Sequence, residues 1–464
     1  MSAAMTGAVI VVAGGTVVTS DGPVRADLVL RDGRIAAIMA DASEVEAQER
    51  VDAAGLVVVP GGVDAHTHFR EPDPRQVEGF DYGSRGALAG GITTAIEMPQ
   101  ADPTSVNAEI VRQKKALIEE KSRIDIALWG GVIGQPRADI EGMLAEGVVS
   151  LKAFIPASSP SFPNIDDATM LDTFELIAGS DVPFGLHCEN DALLRAGLDR
   201  LQASGRKDAL AHAESRPPLV EVEAIHRAIF FAELTGGRLY VCHVAAADGL
   251  QLIKEARARD VWVEAETCPQ YLLLDLGDLE AQGVWARCAP AFRSRGEVER
   301  IWEYIIDGTV DVVSSDHCAY TVEDKLAGAD DIWKAPLGCS GVQTMYPGLL
   351  DEMVNHRGLP IDKFVELSAT NPARIFGLYP RKGVIQVGSD ADLVFYDLER
   401  SWTVRGEQLL HKNKWTPFEG KEIGASVVRV LVRGGTQFDA AADDPLTGHA
   451  GTGNFLPRGY GATA

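Results

Sequence analysis

The stretch Leu56-Val-Val-Val-Pro60-Gly-Gly-Val-Asp64-Ala-His66-Thr-His68 is a β-branched apolar run that stops in two imidazoles. Short apolar runs of this kind read as strands buried on both faces, as in parallel sheets. Positions i and i+2 of a strand project from one face, so His66 and His68 can reach a common point where a metal ion would sit. A buried structural histidine pair has the same spacing, so the rest of the chain decides between them.

The first apolar run is read at residues 56–64, and seven more follow at 92–97, 126–132, 148–154, 183–188, 239–244, 261–266 and 310–316. Helix-like segments separate most of them, among them Ser105–Ser122, Ala168–Ala178, Val220–Leu234 and Arg295–Ile306. Eight strands alternating with helices over roughly 300 residues predict an α/β fold, a (β/α)8 TIM-type barrel spanning 59–379. The flanks, 1–58 and 380–440, are rich in Val, Gly and Asp, with turn signals at Arg31-Asp-Gly-Arg34, Gly388-Ser-Asp-Ala391 and Arg433-Gly-Gly435. They are expected to pair into one small β-sandwich domain. Residues 441–464, rich in Gly and Ala, read as a C-terminal tail that is mobile or drapes over a partner subunit.

The 464-residue chain carries 43 basic against 67 acidic residues, a formal charge of −24. That balance repels phosphate backbones and anionic lipid surfaces, which argues against nucleic-acid and membrane partners. The run Ala8–Ala13 follows no basic region and ends in Gly14-Gly15, so it reads as part of a hairpin rather than an export signal. No apolar stretch approaches the ~20 residues of a membrane span. Six dispersed cysteines with no C-x-x-C pair fit a reducing compartment, so a cytoplasmic location is expected.

Catalytic groups of such a barrel sit where its strands end. The first run ends in His66 and His68, the fourth carries Lys152, the fifth ends at His187, the sixth at His243 and the eighth at Asp316. Two divalent ions would each need about three or more ligands, and four histidines with one aspartate fall short. A CO2-derived carbamate on Lys152 would supply the missing anionic oxygens; a buried salt bridge is the alternative use of that lysine. Cys188, Cys242 and Cys318 lie within two residues of these positions and read as small buried apolar groups. The remaining histidines, His212, His226, His317, His356, His411 and His449, read as surface or structural.

The chain resembles the cyclic amidohydrolases, the group of hydantoinases, dihydropyrimidinases, allantoinases and dihydroorotases. The matching segments are Pro60-Gly-Gly-Val-Asp-Ala-His-Thr-His68, Gly90-Gly-Ile-Thr-Thr-Ala-Ile-Glu-Met-Pro99, the Lys152 strand, His187-Cys-Glu-Asn190, Cys242-His-Val244, Glu266-Thr-Cys-Pro-Gln-Tyr271, Ser315-Asp-His-Cys318 and Gly388-Ser-Asp-Ala-Asp-Leu393. The resemblance implies a zinc-type binuclear centre, with His66, His68 and Asp316 on one ion, His187 and His243 on the other, and carbamylated Lys152 between them. It further implies a small cyclic ureide or amide as substrate, opened to a ureido acid with Asp316 moving the proton, and a homodimer or homotetramer.

Subfamily signals are mixed. Ala157 stands where dihydropyrimidinases and D-hydantoinases carry a tyrosine, whereas Val77–Phe80, Ala157–Asn164, Arg216–Ala224, Val322-Glu-Asp-Lys325 and His411–Phe418 look like L-hydantoinases and allantoinases. Against that, His68-Phe-Arg70-Glu-Pro72 is similar to the dihydroorotase pattern, in which the arginine meets a substrate carboxylate. Gln100 follows Met98-Pro99 where that pattern has asparagine. A salt bridge to Glu71, Asp73 or another loop carboxylate is the other reading of Arg70. The resemblance also implies ring contacts by backbone near Ala289 and Leu337. A five-membered hydantoin- or allantoin-type ring is the first expectation, an acidic six-membered ring the second. A non-catalytic scaffold and a mononuclear deaminase are remoter alternatives.

Overall fold

The computed structural model describes residues 7–462. Eight parallel strands form one sheet in chain order: β1 (Gly62–Thr67), β2 (Ile92–Glu97), β3 (Asp125–Gly131), β4 (Ser150–Phe154), β5 (Phe184–His187), β6 (Leu239–Val241), β7 (Val263–Thr267) and β8 (Val312–Val313). The ring closes just beyond β8, where His68 N donates to His317 O at 2.8 Å and Ser315 N donates to Asp64 Oδ1 at 2.9 Å. This is the expected (β/α)8 barrel. Helices Ala108–Lys121, Asp167–Ile177, Pro218–Thr235 and Arg295–Ile306 fall within a few residues of their predicted positions. Three start at side-chain caps: Asn107, Asp166 and Ser294 each accept a first-turn N–H.

Every residue of these strands is buried, because helices cover the outside and side chains fill the inside. The inner core stacks Val63, Ala65, Ile96, Ala127, Trp129, Tyr240 and Val312. Pairing of β1 with β2 shifts register between Asp64 and Thr67, an irregularity of the kind that re-aims side chains beside active sites.

The opening run is two strands rather than one. Val57–Pro60 belongs to a six-stranded flanking sheet, paired with Leu393–Asp397 and Thr16–Thr19, and only from Gly62 does the chain enter the barrel. Gly61 makes the splice, and a Cβ there would run into the Thr93 side chain. Periodicity hides this break, since both halves are equally apolar and extended. A second, four-stranded flanking sheet contains Val9–Ala13, Asp27–Arg31, Arg34–Met39 and Glu49–Asp52. Val12, Leu28 and Leu30 from this sheet pack with Val17, Val58, Phe395 and Leu431 from the other. The hairpin turns at Asp32-Gly33 and Arg433-Gly434 have positive φ at both central residues, as tight two-residue turns require.

The C-terminal segment differs from expectation. Its described residues dock on the chain's own barrel: Ile126 N donates to Asn454 O and Leu456 N to Ile126 O, both at 2.9 Å, and Leu456 is fully buried in the inner core. Two apolar residues are the cause: Leu456 enters the inner core at the N-terminal mouth of the barrel, opposite the strand ends, and Phe455 packs against the outer helical layer beside Lys115. Among the described residues no helix is long and apolar enough to cross a membrane. All six cysteines are buried and unpaired.

Candidate active site

The C-terminal strand ends surround a cavity of about 260 Å³ bordered by His66, His68, His187, His243 and Asp316. His66 Nε2 lies 3.3 Å and His68 Nε2 3.2 Å from Asp316 Oδ1. The His187 and His243 rings are 4.5 Å apart, and the His66 ring is 5.3 Å from that of His243. Asp316 and His243 hold φ of 46° and 41°, a strained conformation for residues with side chains and one that clusters at functional sites.

Two carboxylates that sequence reading left without a role orient these rings. Glu266 Oε1 meets His66 Nδ1 at 2.8 Å and accepts His243 N at 2.9 Å, while its Oε2 accepts Tyr240 OH at 2.8 Å. Glu189 Oε2 meets His187 Nε2 and Arg216 Nη1, each at 2.8 Å. One ring nitrogen of His66 and one of His187 are thereby occupied, which leaves the other nitrogen of each as the one that could meet a metal ion, the arrangement that outer carboxylates impose on metal-ligating histidines. The signal for both was present in the sequence, since Glu266 ends an apolar run and Glu189 stands two residues past His187.

Lys152 is fully buried with no hydrogen-bond partner for Nζ, which lies 5.1 Å from the Phe154 ring. On β4 it stands in register between Gly131 of β3 and Gly185 of β5, near enough for its charge to act on His187, His243 and Asp316. Burial without a partner costs about 1–3 kcal/mol for a neutral amine and more for an ammonium; the salt-bridge alternative is not what the structure forms. Four imidazoles, a carboxylate and an orphaned amine make a donor set that suits divalent cations preferring nitrogen and oxygen. Burial opposes charge on His66, but Glu266 and Asp316 outweigh it and hold the imidazolium up to about 10, so a cation would have to displace that proton. Burial pushes His68 down to about 3, leaving it neutral and able to ligate. Burial alone would raise Asp316, yet His66 and His68 hold it below the usual carboxylate range.

Arg70, Gln100, Ala289 and Leu337 all border the cavity. Gln100 Nε2 donates to Ser158 Oγ at 3.1 Å. The Arg70 guanidinium lies 4.1 Å over the Tyr320 ring and donates to Cys318 Sγ at 2.7 Å and Ala319 O at 3.3 Å. Neither Glu71 nor Asp73 pairs with it; Glu71 takes Lys121 at 2.9 Å instead. Glu97 fixes the Arg70 segment, accepting from Thr67 Oγ1, Phe69 N and Arg70 N at 2.8–3.0 Å. Buried His317 meets Glu78 Oε2 at 2.6 Å and packs beside His411, a structural role for both histidines.

A sequence profile of the amidohydrolase family matches residues 57–436. The chain belongs to the amidohydrolase family. This amidohydrolase is 37% identical over 443 residues to an L-hydantoinase of Paenarthrobacter aurescens, covering 95% of this chain and 96% of that one. It is 40% identical over 436 residues to an allantoinase of Rubrobacter xylanophilus, covering 93% and 94%. Among solved structures, L-hydantoinase from Arthrobacter aurescens superposes with a TM-score of 0.94 at 36% identity, over 97% of this chain and 99% of that one. Dihydropyrimidinase from Brevibacillus agri gives 0.90 at 30% identity, over 98% and 100%.

Proposed function

We propose that the protein hydrolyses an amide bond of a small cyclic ureide, a five-membered hydantoin- or allantoin-type ring, to give an N-carbamoyl acid. The observation that carries this reading is the orphaned amine of Lys152, within electrostatic reach of His187, His243 and Asp316 beside a cavity bordered by four histidines and that aspartate at the strand ends. His66, His68 and Asp316 would hold one divalent cation and His187 with His243 a second, with Lys152 as its carbamate between them. Zinc suits these ligands best. Such cations supply a water acidic enough to ionise near neutral pH and a field that polarises a ring carbonyl.

The chain's own groups do the rest. Asp316 takes the proton of the attacking water and delivers it to the ring nitrogen as the C–N bond breaks, leaving a carboxylate and a terminal urea. Glu266 and Glu189 keep their imidazoles from turning while charge shifts. Backbone groups at Ala289 and Leu337 read the –NH–CO– edge, and the loop Pro156–Ser159 borders the space for a ring substituent. A ring bearing a carboxylate is the second reading, favoured by the Arg70 guanidinium, which faces the cavity with no carboxylate partner among the described residues.

The test is product formation by zinc-loaded protein on allantoin, alkyl and aryl hydantoins of both hands, dihydrouracil and dihydroorotate. Preference for five-membered rings is expected. Selective opening of dihydroorotate overturns the first reading in favour of the second, and no turnover on any ring overturns both.

A further inference from the structure

Lys325 lies on the short helix Val322–Leu326, outside the ligand set and fully buried. A protonated lysine has three N–H donors, and here each finds a backbone carbonyl: Arg287 O at 3.1 Å, Pro336 O at 3.1 Å and Gly338 O at 2.7 Å. The acceptors come from two loops. One leads into Cys288 and Ala289, the other is Pro336-Leu337-Gly338, and all five residues border the cavity. Gly338 N also donates to Arg287 O at 3.0 Å, so both loops converge on one carbonyl. The fit is close enough that a Cβ on Gly338 would lie 2.6 Å from Cys318 O, at a φ of 159°.

A buried ammonium is an expensive way to join two loops when apolar packing would serve. What it adds is direction: three bonds to fixed carbonyls set the spacing and tilt of both backbone segments. The Trp415 ring, 4.9 Å from Nζ, covers the amine and donates its own Nε1–H to Tyr320 O at 2.8 Å. Burial pushes Lys325 down to about 8, even with three thiols nearby, which leaves the cation predominant near neutral pH.

We propose that Lys325 is a positioning residue for substrate binding, clamping the Arg287–Ala289 and Pro336–Gly338 backbones at the separation that fits the ureide edge of the ring. It grips the carbonyls on either side of Leu337 and the one two residues before Ala289, so the recognition surface is set before substrate arrives. The inference rests on the ring-opening reading above, because it needs a ring to sit between those segments.

The test is steady-state kinetics of metal-loaded Lys325→Met against wild type on the best ring, with metal content measured in parallel. The expected result is a KM raised at least about tenfold, with metal content unchanged and kcat within about threefold, the signature of lost ground-state binding. A KM within twofold of wild type overturns the proposal, as does lost metal or kcat at unchanged KM. If Lys325→Met does not fold, Lys325→Arg is read instead; it keeps charge and donors but misplaces them, and an unchanged KM in that variant also overturns the clamp. Wild-type turnover separates the two claims. Rings opened by wild type with KM unmoved in the variants sink the clamp alone, whereas no ring opened by wild type sinks the functional reading and the clamp with it.

Discussion

Replacing Lys152 by methionine should stabilise the metal-free protein while disabling the enzyme. Lys152 Nζ is buried with no partner for any of its N–H groups. Such a group costs about 1–3 kcal/mol even as a neutral amine and more as an ammonium, the form to which the Phe154 face, 5.1 Å away, returns about 0.5–1 kcal/mol. Methionine has nearly the same length and no polar hydrogen, so a net penalty of at least about 1 kcal/mol should disappear. Chelator-stripped Lys152→Met is therefore expected to resist urea by about that margin over stripped wild type. After reloading, the variant should retain fewer than two ions per chain by emission spectrometry and lose most turnover, because the lysine's value lies in the ligand it becomes. A stripped variant less stable than stripped wild type, or one that still holds two ions, refutes the reasoning.

Asp316→Asn should keep its metal and lose about 10²–10⁴-fold in kcat, since it removes the proton carrier and leaves a ligating oxygen; near-normal turnover at full metal content contradicts the assigned role. Stripped wild type reloaded with zinc should recover more activity with bicarbonate than in CO2-free buffer, and equal recovery argues against the carbamate. Arg70→Ala should raise KM by about 10–100-fold more for rings bearing a carboxylate than for neutral rings, the worth of a charged hydrogen bond; equal losses exclude carboxylate anchoring. Glu97 supplies a pH test. Burial raises its carboxyl from 4.5 to about 7 despite Lys114, so the folded state holds that proton more tightly than the unfolded state. Stability should fall as pH rises from about 4.5 to about 7, and Glu97→Gln should gain about 3 kcal/mol relative to wild type across that window. A difference between the two that does not vary with pH rejects this.

The barrel was legible because strands buried on both faces lose the alternation of half-exposed ones and stand out as apolar runs. The ligand positions were legible because each lies where a run stops, as with His187 after Phe184-Gly-Leu and Asp316 after Val312-Val-Ser-Ser. The break at Gly61 was not, because one unbroken apolar pattern serves two sheets. Nor was the place of the last segment, whose Gly and Ala content masks the two apolar residues, Phe455 and Leu456, that dock it. Glu266 and Lys325 act on residues far away in the chain, and no local spacing encodes partnerships such as Glu266 with His66 or Lys325 with Arg287. The fate of Arg70 was open for the same reason: whether it met Glu71 or turned to Tyr320 depended on a loop closed by Glu97 and on the distant chain at 318–320.

The splice at Gly61 constrains how this protein can be recombined with its relatives. Modular exchange normally exploits a slack joint where few contacts cross. Here the flanking sheet hands the chain to β1 in a single extended run, and the join has no space for a side chain beside Thr93. A chimera cut at that point transplants, along with the outer sheet, the anchor that sets where His66 and His68 begin. Viable crossovers should therefore fall in the helical half of a later repeat, where a misfit displaces a surface turn and not the imidazoles.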